Sequence, residues 1–274
     1  MKSLLKADFK RVLKDKLLIV MGILAVVFAA TTPLLYAVLF SAIDVTAEPM
    51  LSSYVTAKTQ FFGTFSLGNN LGMIAPVLLA IALCKDFSFG TVRNKIIAGK
   101  SRSAIFLSLF VTCATVLISV MLLHAFLTLG ISLIFFDYQT TAFTLSDFWY
   151  FLESLAFEIL VLLWVAALLS CLCASMKNVG LVIVLYLAAT FILVIAGSIV
   201  QTSLLVLEVT GTNETLIKAL RFIDKINVGT AVSRIGAGTK YTLEEVLYLT
   251  IPSAVGILGF TGLGLLCFNK KDLK

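Results

Sequence analysis

Six stretches of this sequence are strongly apolar, and each is long enough to cross a bilayer as a helix. About 20 consecutive apolar residues are needed to span a hydrocarbon core of roughly 30 Å. Runs of about this length fall at 17–40, 66–84, 104–136, 149–175, 179–200 and 247–268. The pattern predicts an all-α integral membrane protein with six transmembrane helices.

Composition supports this fold class. Hydrophobic residues make up 60% of the chain, charged residues make up 13%, and the mean hydropathy is +1.06. Soluble domains are about half apolar and about a quarter charged. We therefore expect residues 1–274 to form a single transmembrane domain.

The first 16 residues have the pattern of an amphipathic helix. Leu5, Phe9 and Val12 fall on one helical face, while lysines and Arg11 occupy much of the rest. Such a segment lies in the headgroup region of a membrane. A cleavable signal peptide is the alternative, but the charged part is long and the apolar run after it exceeds a signal core. We interpret 1–16 as an uncleaved interfacial helix.

A short basic segment at 85–103 separates the second and third apolar runs. Phe89, Val92 and Ile96 recur at helical spacing, which predicts a short helix with a narrow apolar stripe. Gly99 is placed to end that helix, and Ser101 to cap the next one. The segment is too polar to cross a bilayer and is tethered at both ends, so it should lie against the membrane surface.

The distribution of basic residues predicts which side of the membrane each connection occupies. Residues 1–16, 85–103, 176–178 and 269–274 carry 6, 5, 1 and 3 lysines and arginines. The other connections, 41–65, 137–148 and 201–246, carry 1, 0 and 5, together with 9 acidic residues. Basic flanks are retained in the cytoplasm, so both termini are expected there. This asymmetry also explains the basic pI of about 9.1 without nucleic-acid binding.

The longest outer connection, 201–246, is unusually apolar. Its residues 215–223 have the pattern of a short helix, and Gly229, Gly236 and Gly238 interrupt the remainder of the connection. An ordinary solvated loop is one interpretation. The apolar content favours re-entrant-like helices that dip back toward the membrane.

Motifs for catalysis or metal binding are weak. Residues 236–240 superficially resemble a phosphate loop but lack the Walker A spacing, and we interpret them as a turn. The five cysteines lie within the apolar runs or near their cytoplasmic ends, and His124 is the only histidine. We therefore predict no metal site, no cofactor in this chain and no enzymatic activity of its own.

The segment between the second and third runs resembles the coupling helix of type 2 ABC transporter permeases. The resemblance rests on Asp86-x-x-x-Gly90-Thr91-Val92-Arg93-Asn94-Lys95, followed by Gly99-x-Ser101-Arg102. It extends to the basic N-terminal helix, the six spans and the long outer loop. Many relatives have Glu where this chain has Asp86, which keeps the charge.

The resemblance implies a permease in a bacterial cell membrane that pairs with a second permease copy or a sister permease. Separate ABC ATPase subunits would bind ATP and Mg²⁺ and contact the cytoplasmic segment. The implied coupling residues are Asp86, Phe89, Gly90, Thr91, Arg93, Asn94, Lys95, Gly99 and Arg102. The expected cargo is an antimicrobial peptide, an antibiotic or a lipid-like molecule. In such exporters the second and fifth spans border the pathway, which brings in Asn69, Asn70, Tyr186 and Thr190.

Two other classes of protein remain as alternatives. An ion-coupled transporter or channel needs more intramembrane charges or inverted repeats than this chain shows. A membrane-embedded enzyme needs convergent catalytic groups, and Glu153, Glu158 and His124 are too few to supply them. No cytoplasmic segment approaches the size of a nucleotide-binding domain, so an ATP-driven protein of this sequence needs a partner.

Two ionisable residues lie deepest in the predicted spans. Glu158 is nine positions inside the outer end of the fourth span, about 14 Å, and His124 is twelve positions inside the third, about 18 Å. Consecutive spans joined by a short loop usually pack as neighbours, and an ionisable group in hydrocarbon favours a partner. We predict a buried polar pair or shared hydrogen bond between Glu158 and His124, and we favour a structural role in span packing over a proton-linked or substrate-binding role.

Overall fold

The computed structural model describes residues 2–42, 55–88, 90–176, 178–210 and 214–270. This part of the chain contains helices and no strands. We number the helices in chain order: α1 (Lys2–Leu13), α2 (Lys16–Ala42), α3 (Ala57–Gly63), α4 (Asn70–Ser88), α5 (Thr91–Ile97), α6 (Arg102–Phe135), α7 (Leu145–Ser175), α8 (Val179–Thr210), α9 (Glu214–Ile226), α10 (Val228–Arg234) and α11 (Leu243–Lys270).

Within the described ranges, six helices are long and apolar enough to cross a membrane: α2, α4, α6, α7, α8 and α11. The prediction of an all-α protein with six such helices is confirmed. Several of them are longer than the apolar runs, and α6 has 34 residues, about 51 Å at the helical rise. Since the hydrocarbon core is roughly 30 Å thick, α6 must tilt or extend beyond it.

Three helices form the centre of the bundle. The apolar windows of α4, α6 and α7 are 56%, 61% and 56% buried, whereas those of α2, α8 and α11 are 22%, 17% and 17% buried. The outer three present large apolar side chains such as Ile23, Val184 and Leu258. Lipid tails are as apolar as these side chains, so such surfaces are compatible with a bilayer.

Close approach of α11 to α7 depends on Gly256. A Cβ atom added to Gly256 would lie 2.0 Å from Nε1 of Trp164. Gly259, about one turn further along α11, has nothing within 4 Å. Small residues let membrane helices approach closely. In α11, Gly256 permits such an approach, whereas Gly259 does not take part in one.

The second spanning helix begins later than the apolar run. Residues 66–69 form a turn, and α4 begins at Asn70. The Asn69 carbonyl accepts the first helical hydrogen bond, 3.0 Å from the Met73 nitrogen. The turn folds over Gly72, where an added Cβ would lie 2.2 Å from the Ser66 carbonyl oxygen. The polar asparagines therefore begin the helix, and Ser66 lies outside it.

A short buried helix, α3, occupies a region that the sequence assigns to an outer loop. Thr56 and Thr59 close its first turn with reciprocal side-chain to backbone hydrogen bonds. Phe61 packs against Phe126 of α6 and Phe151 of α7, with ring centroids 5.4 and 5.1 Å apart. These aromatic contacts dock α3 onto the central helices.

Candidate functional site

The short helix α5 is set between two glycines with left-handed backbone. Gly90 has φ 68° and precedes the helix, and Gly99 has φ 77° and follows it. Left-handed φ values cost little only for glycine, so these two positions define the turns into and out of α5. Its inner face is anchored by Val92, which packs in a cluster with Leu4 of α1 and Phe106 of α6.

Four charged side chains and one serine form a second anchor beside Val92, which we call the ionic cluster: Asp8, Arg11, Asp86, Lys95 and Ser108. Lys95 Nζ lies 2.6 Å from Asp8 Oδ1 and 3.3 Å from Asp86 Oδ2. Arg11 Nη1 lies 2.6 Å from Asp86 Oδ1, and the Ser108 hydroxyl donates to Asp8 Oδ2. The cluster joins α1, α4, α5 and α6.

The ionic cluster balances two buried carboxylates against two cations that are themselves partly exposed, with Arg11 30% and Lys95 14% exposed. Asp8 is 4% exposed and Asp86 is 1% exposed. Buried charges are tolerated when they are paired and hydrogen-bonded, and losing one partner leaves an uncompensated charge. The arrangement therefore fixes the N-terminal helix to α5.

A second, more accessible pair joins the turn between α1 and α2 to α4. Lys85 Nζ lies 3.0 and 2.8 Å from the two carboxylate oxygens of Asp15. Partial burial raises the pKa of Asp15, but the hydrogen bonds from Lys85 and the Leu17 N–H outweigh it, and its pKa lies below the ordinary value. The carboxylate is thus held in its charged form.

The opposite face of α5 is exposed in the described part of the chain. Arg93 and Asn94 are exposed, and Ile97 is 74% exposed. Lys100 follows in the turn and is also exposed. The result is a small basic surface with one protruding apolar side chain, carried by a helix whose other face is buried.

The structure places the sequence-predicted coupling residues in two groups. Asp86 and Lys95 are used internally by the ionic cluster, and Arg102 donates to the carbonyls of Phe268 and Asn269 at the end of α11. The remaining described members belong to α5 or its turns: Gly90, Thr91, Arg93, Asn94 and Gly99. Phe89 lies outside the described residues.

Sequence reasoning missed the contribution of α1. Asp8 is the only acidic residue between Lys2 and Leu13, in a helix otherwise rich in lysine. An isolated acidic residue in a basic amphipathic helix is the one local signal that could have pointed to a buried ion pair. Its partner Lys95 on α5 lies 87 residues further along the chain, and no local pattern around Lys95 indicates the pairing.

The four residues predicted to border a pathway lie on two adjacent helices. Tyr186 is fully buried in the core, and Thr190 donates to its carbonyl oxygen. Asn69 and Asn70 lie at the start of α4, where the neighbouring Gly68 approaches Val194 of α8. Their role in a pathway stays a prediction.

The predicted hydrogen bond between His124 and Glu158 is not made. His124 is 3% exposed and Glu158 is 0% exposed, yet His124 Nδ1 and both Glu158 carboxylate oxygens have no hydrogen-bond partner among the described residues. His124 instead lines a cavity with residues of α2 and α3. The prediction was wrong because α3, which the sequence did not reveal, packs against α6 on this side.

The cavity beside His124 has a volume of about 200 Å³, and we call it the outer cavity. Its lining includes polar side chains from four segments: Thr32 and Tyr36 of α2, Thr59 and Gln60 of α3, Asn69, and His124 of α6. Tyr36 and Thr59 are exposed, whereas Gln60 and His124 are buried. The cavity therefore runs from the surface into the bundle.

No known protein-family model matches this sequence, and neither does any curated protein. The resemblance to permeases thus rests on the residues between the second and third spans and on the order of the helices.

Proposed function

We propose that this chain is the membrane-spanning permease subunit of an ATP-driven exporter in a bacterial cell membrane, with α5 as its coupling helix. The observation that carries the proposal is the two-sided character of α5. One face is fixed to α1, α4 and α6 through Val92 and the ionic cluster, and the other presents Arg93, Asn94 and Ile97. A rigidly held helix with an exposed basic face suits docking of a partner protein.

The partner in this proposal is an ABC ATPase subunit on the cytoplasmic side. ATP hydrolysis with Mg²⁺ takes place in that subunit. A displacement of α5 would move α4 and α6 directly because the turns at Gly90 and Gly99 are short, and would move α1 through Lys95 and Asp8. The ionic cluster is thus the link between docking and movement of the spans.

The remaining features fit this assignment. The basic α1 would lie along the cytoplasmic membrane surface, and the excess of basic residues in the same set of connections favours both termini in the cytoplasm. On the outer side, α9 and α10 pack against α8, where Asn227 Nδ2 donates to the Leu193 carbonyl at 2.9 Å. Leu193 lies well inside α8. In this proposal, α9 and α10 are therefore re-entrant helices.

The pathway would form between two permease copies, or between this chain and a sister permease. The weakly buried helices α2, α8 and α11 offer apolar faces for that contact and for lipid. Asn69, Asn70, Tyr186 and Thr190 supply scattered hydrogen-bonding groups in an otherwise apolar bundle. This combination suits an amphipathic peptide, an antibiotic or a lipid-like cargo better than a small ion.

The test is an Arg93→Glu variant co-expressed with a candidate ABC ATPase subunit from the same organism. Reversing an exposed charge on α5 should leave the permease folded but reduce ATPase co-purification and ATP-dependent export by at least about tenfold, as expected for an interface charge. Lys218→Glu, an equally exposed reversal on α9, is the matched control and should change neither. Normal assembly and export by Arg93→Glu would exclude α5 as the docking helix.

Ion-coupled transport is the second candidate, favoured by one observation. The Glu158 carboxylate is fully buried in a spanning helix without a partner among the described residues. Intramembrane ionisable groups often belong to proton or ion pathways. Transport that is driven by a proton gradient without the ATPase, and is lost in Glu158→Gln, would favour this candidate over the exporter.

A further inference from the structure

Two buried residues that line the outer cavity, Gln60 and His124, each have a side-chain nitrogen with no hydrogen-bond partner among the described residues. The Ser132 hydroxyl donates to Gln60 Oε1 at 3.1 Å, while Gln60 Nε2 has no partner among the described residues. Exchanging the amide oxygen and nitrogen would still leave one of them unpaired. His124 Nδ1 is likewise unpaired within the described ranges. Buried unsatisfied groups cost about 1–3 kcal/mol each, so two at one cavity call for a ligand or ordered water.

The chemistry of the lining limits what the cavity can hold. Its described side chains carry hydroxyl, amide and imidazole groups, and none of them is a carboxylate, an ammonium or a guanidinium. A charged ligand group would lose its hydration here without gaining an opposite charge. An uncharged group with several hydroxyls or amides can exchange hydrogen bonds with Gln60, His124 and Tyr36.

The size and depth of the outer cavity further limit the kind of ligand that it can hold. A volume of about 200 Å³ equals roughly seven waters at about 30 Å³ each, which is smaller than a site for a whole drug-sized ligand. Thr32 and Tyr36 lie 16 and 20 residues from the first residue of α2, about 24 and 30 Å along its axis. Those distances approach the full thickness of the hydrocarbon core, so Thr32 and Tyr36 lie near its far surface, where polar head groups begin.

An apolar track continues from the cavity into the membrane. Phe28 and Leu24 lie one and two turns from Thr32 on the same side of α2, and both are half-buried. Leu35, next to Tyr36, is 64% exposed. A hydrocarbon chain attached to a group in the cavity would lie along these side chains.

We infer that the outer cavity binds the uncharged, hydroxyl-bearing head group of a membrane amphiphile, with its chain along α2. Gln60 and His124 supply the hydrogen bonds at the buried end, and Tyr36 supplies one nearer the surface. This inference concerns the chain alone, so it stands or falls independently of the proposed ATPase partner.

The test uses the full chain in phosphatidylcholine nanodiscs with two photoactivatable probes of the same acyl chain. One is a monoacylglycerol, which is uncharged, and the other is the matching lysophosphatidic acid, which carries a phosphate. Cross-linked peptides are then identified by mass spectrometry. We expect the monoacylglycerol to label peptides of α2, α3 and α6 at least about tenfold more than the phosphate probe.

Two near-isosteric variants test the polar contacts. Gln60→Leu and His124→Phe should each lower labelling by about fivefold or more, because each removes hydrogen bonds at the buried end. Thr115→Val is the control, since Thr115 is an exposed residue of α6 whose hydroxyl donates to the Val111 carbonyl of the same helix. If a core variant fails to fold, Tyr36→Phe removes a single hydroxyl from an exposed lining residue and should also reduce labelling.

Three results would overturn the inference. Equal labelling by the two probes would indicate ordinary lipid contact, and labelling indifferent to Gln60→Leu, His124→Phe and Tyr36→Phe would place the probe elsewhere. Absence of labelling at α2, α3 and α6 would mean that water alone satisfies the buried groups.

Discussion

The Asp86→Asn substitution removes one carboxylate from the ionic cluster while keeping the shape of the side chain. Asp86 is 1% exposed and lies 2.6 Å from Arg11 and 3.3 Å from Lys95. After the change, Lys95 keeps Asp8 as its partner, whereas Arg11 loses the carboxylate with which it pairs. Removing one partner of a buried ion pair costs about 3–5 kcal/mol because the other charge stays buried and uncompensated.

That cost is measurable as a loss of thermal stability in detergent. At about 2–4 °C per kcal/mol for a chain of this size, the midpoint should fall by roughly 6–20 °C. The matched control is Glu208→Gln, which breaks the pair between Glu208 of α8 and Arg221 of α9. That pair has a similar separation, 2.7 Å, but its side chains are 43% and 56% exposed. Exposed pairs contribute about 0–1 kcal/mol, so the control should shift the midpoint by only a few degrees.

A double variant separates loss of an ion pair from general damage to the fold. Asp86→Asn combined with Arg11→Gln removes the unpaired cation as well and leaves the pair between Asp8 and Lys95 intact. Its loss of stability should be smaller than the sum of the two single changes, by at least about 1 kcal/mol. An Asp86→Asn shift no larger than that of Glu208→Gln, or additive effects in the double variant, would show that the ionic cluster does not stabilise the fold in this way.

Three further predictions test other parts of the structure. Because the pKa of Asp15 is lowered on folding, its stabilising effect is full above the unfolded value of 3.8 and disappears as pH falls through the lower folded value. The stability difference between wild type and Asp15→Asn should therefore be constant near neutral pH and shrink below about pH 4, as measured by unfolding at each pH. Gly256→Ala should destabilise the protein by about 2 kcal/mol or more because the added methyl group clashes with α7. Gly259→Ala should be neutral or should stabilise the protein by up to about 1 kcal/mol through helix propensity. Thermal unfolding of the two variants measures both effects. Reporter fusions at Ser101 should report the cytoplasm and fusions at Thr141 the outside, and an outside signal at Ser101 would remove the basis for cytoplasmic docking.

The hydropathy pattern was sufficient to predict the six spanning helices. An apolar run of about 20 residues has few options in a bilayer, because unpaired backbone groups in hydrocarbon are too costly for any open structure. The amphipathic character of α1 and α5 was also predictable, since a helical stripe depends only on local spacing. Gly90 and Gly99 mark the turns around α5 for the same local reason.

Tertiary structure decided which side chains meet. Asp8 and Lys95 are 87 residues apart, and their pairing depends on how α1 packs beneath α5, which local spacing does not encode. His124 and Glu158 lie at similar depths, but depth does not fix the direction in which a helix faces. The short α3 docks beside His124 through aromatic contacts and creates the outer cavity. Sequence alone therefore determined where the chain crosses the membrane, because hydropathy is a property of each segment. The partners of the buried polar groups were decided by long-range packing, because contact depends on the rotation of every neighbouring helix.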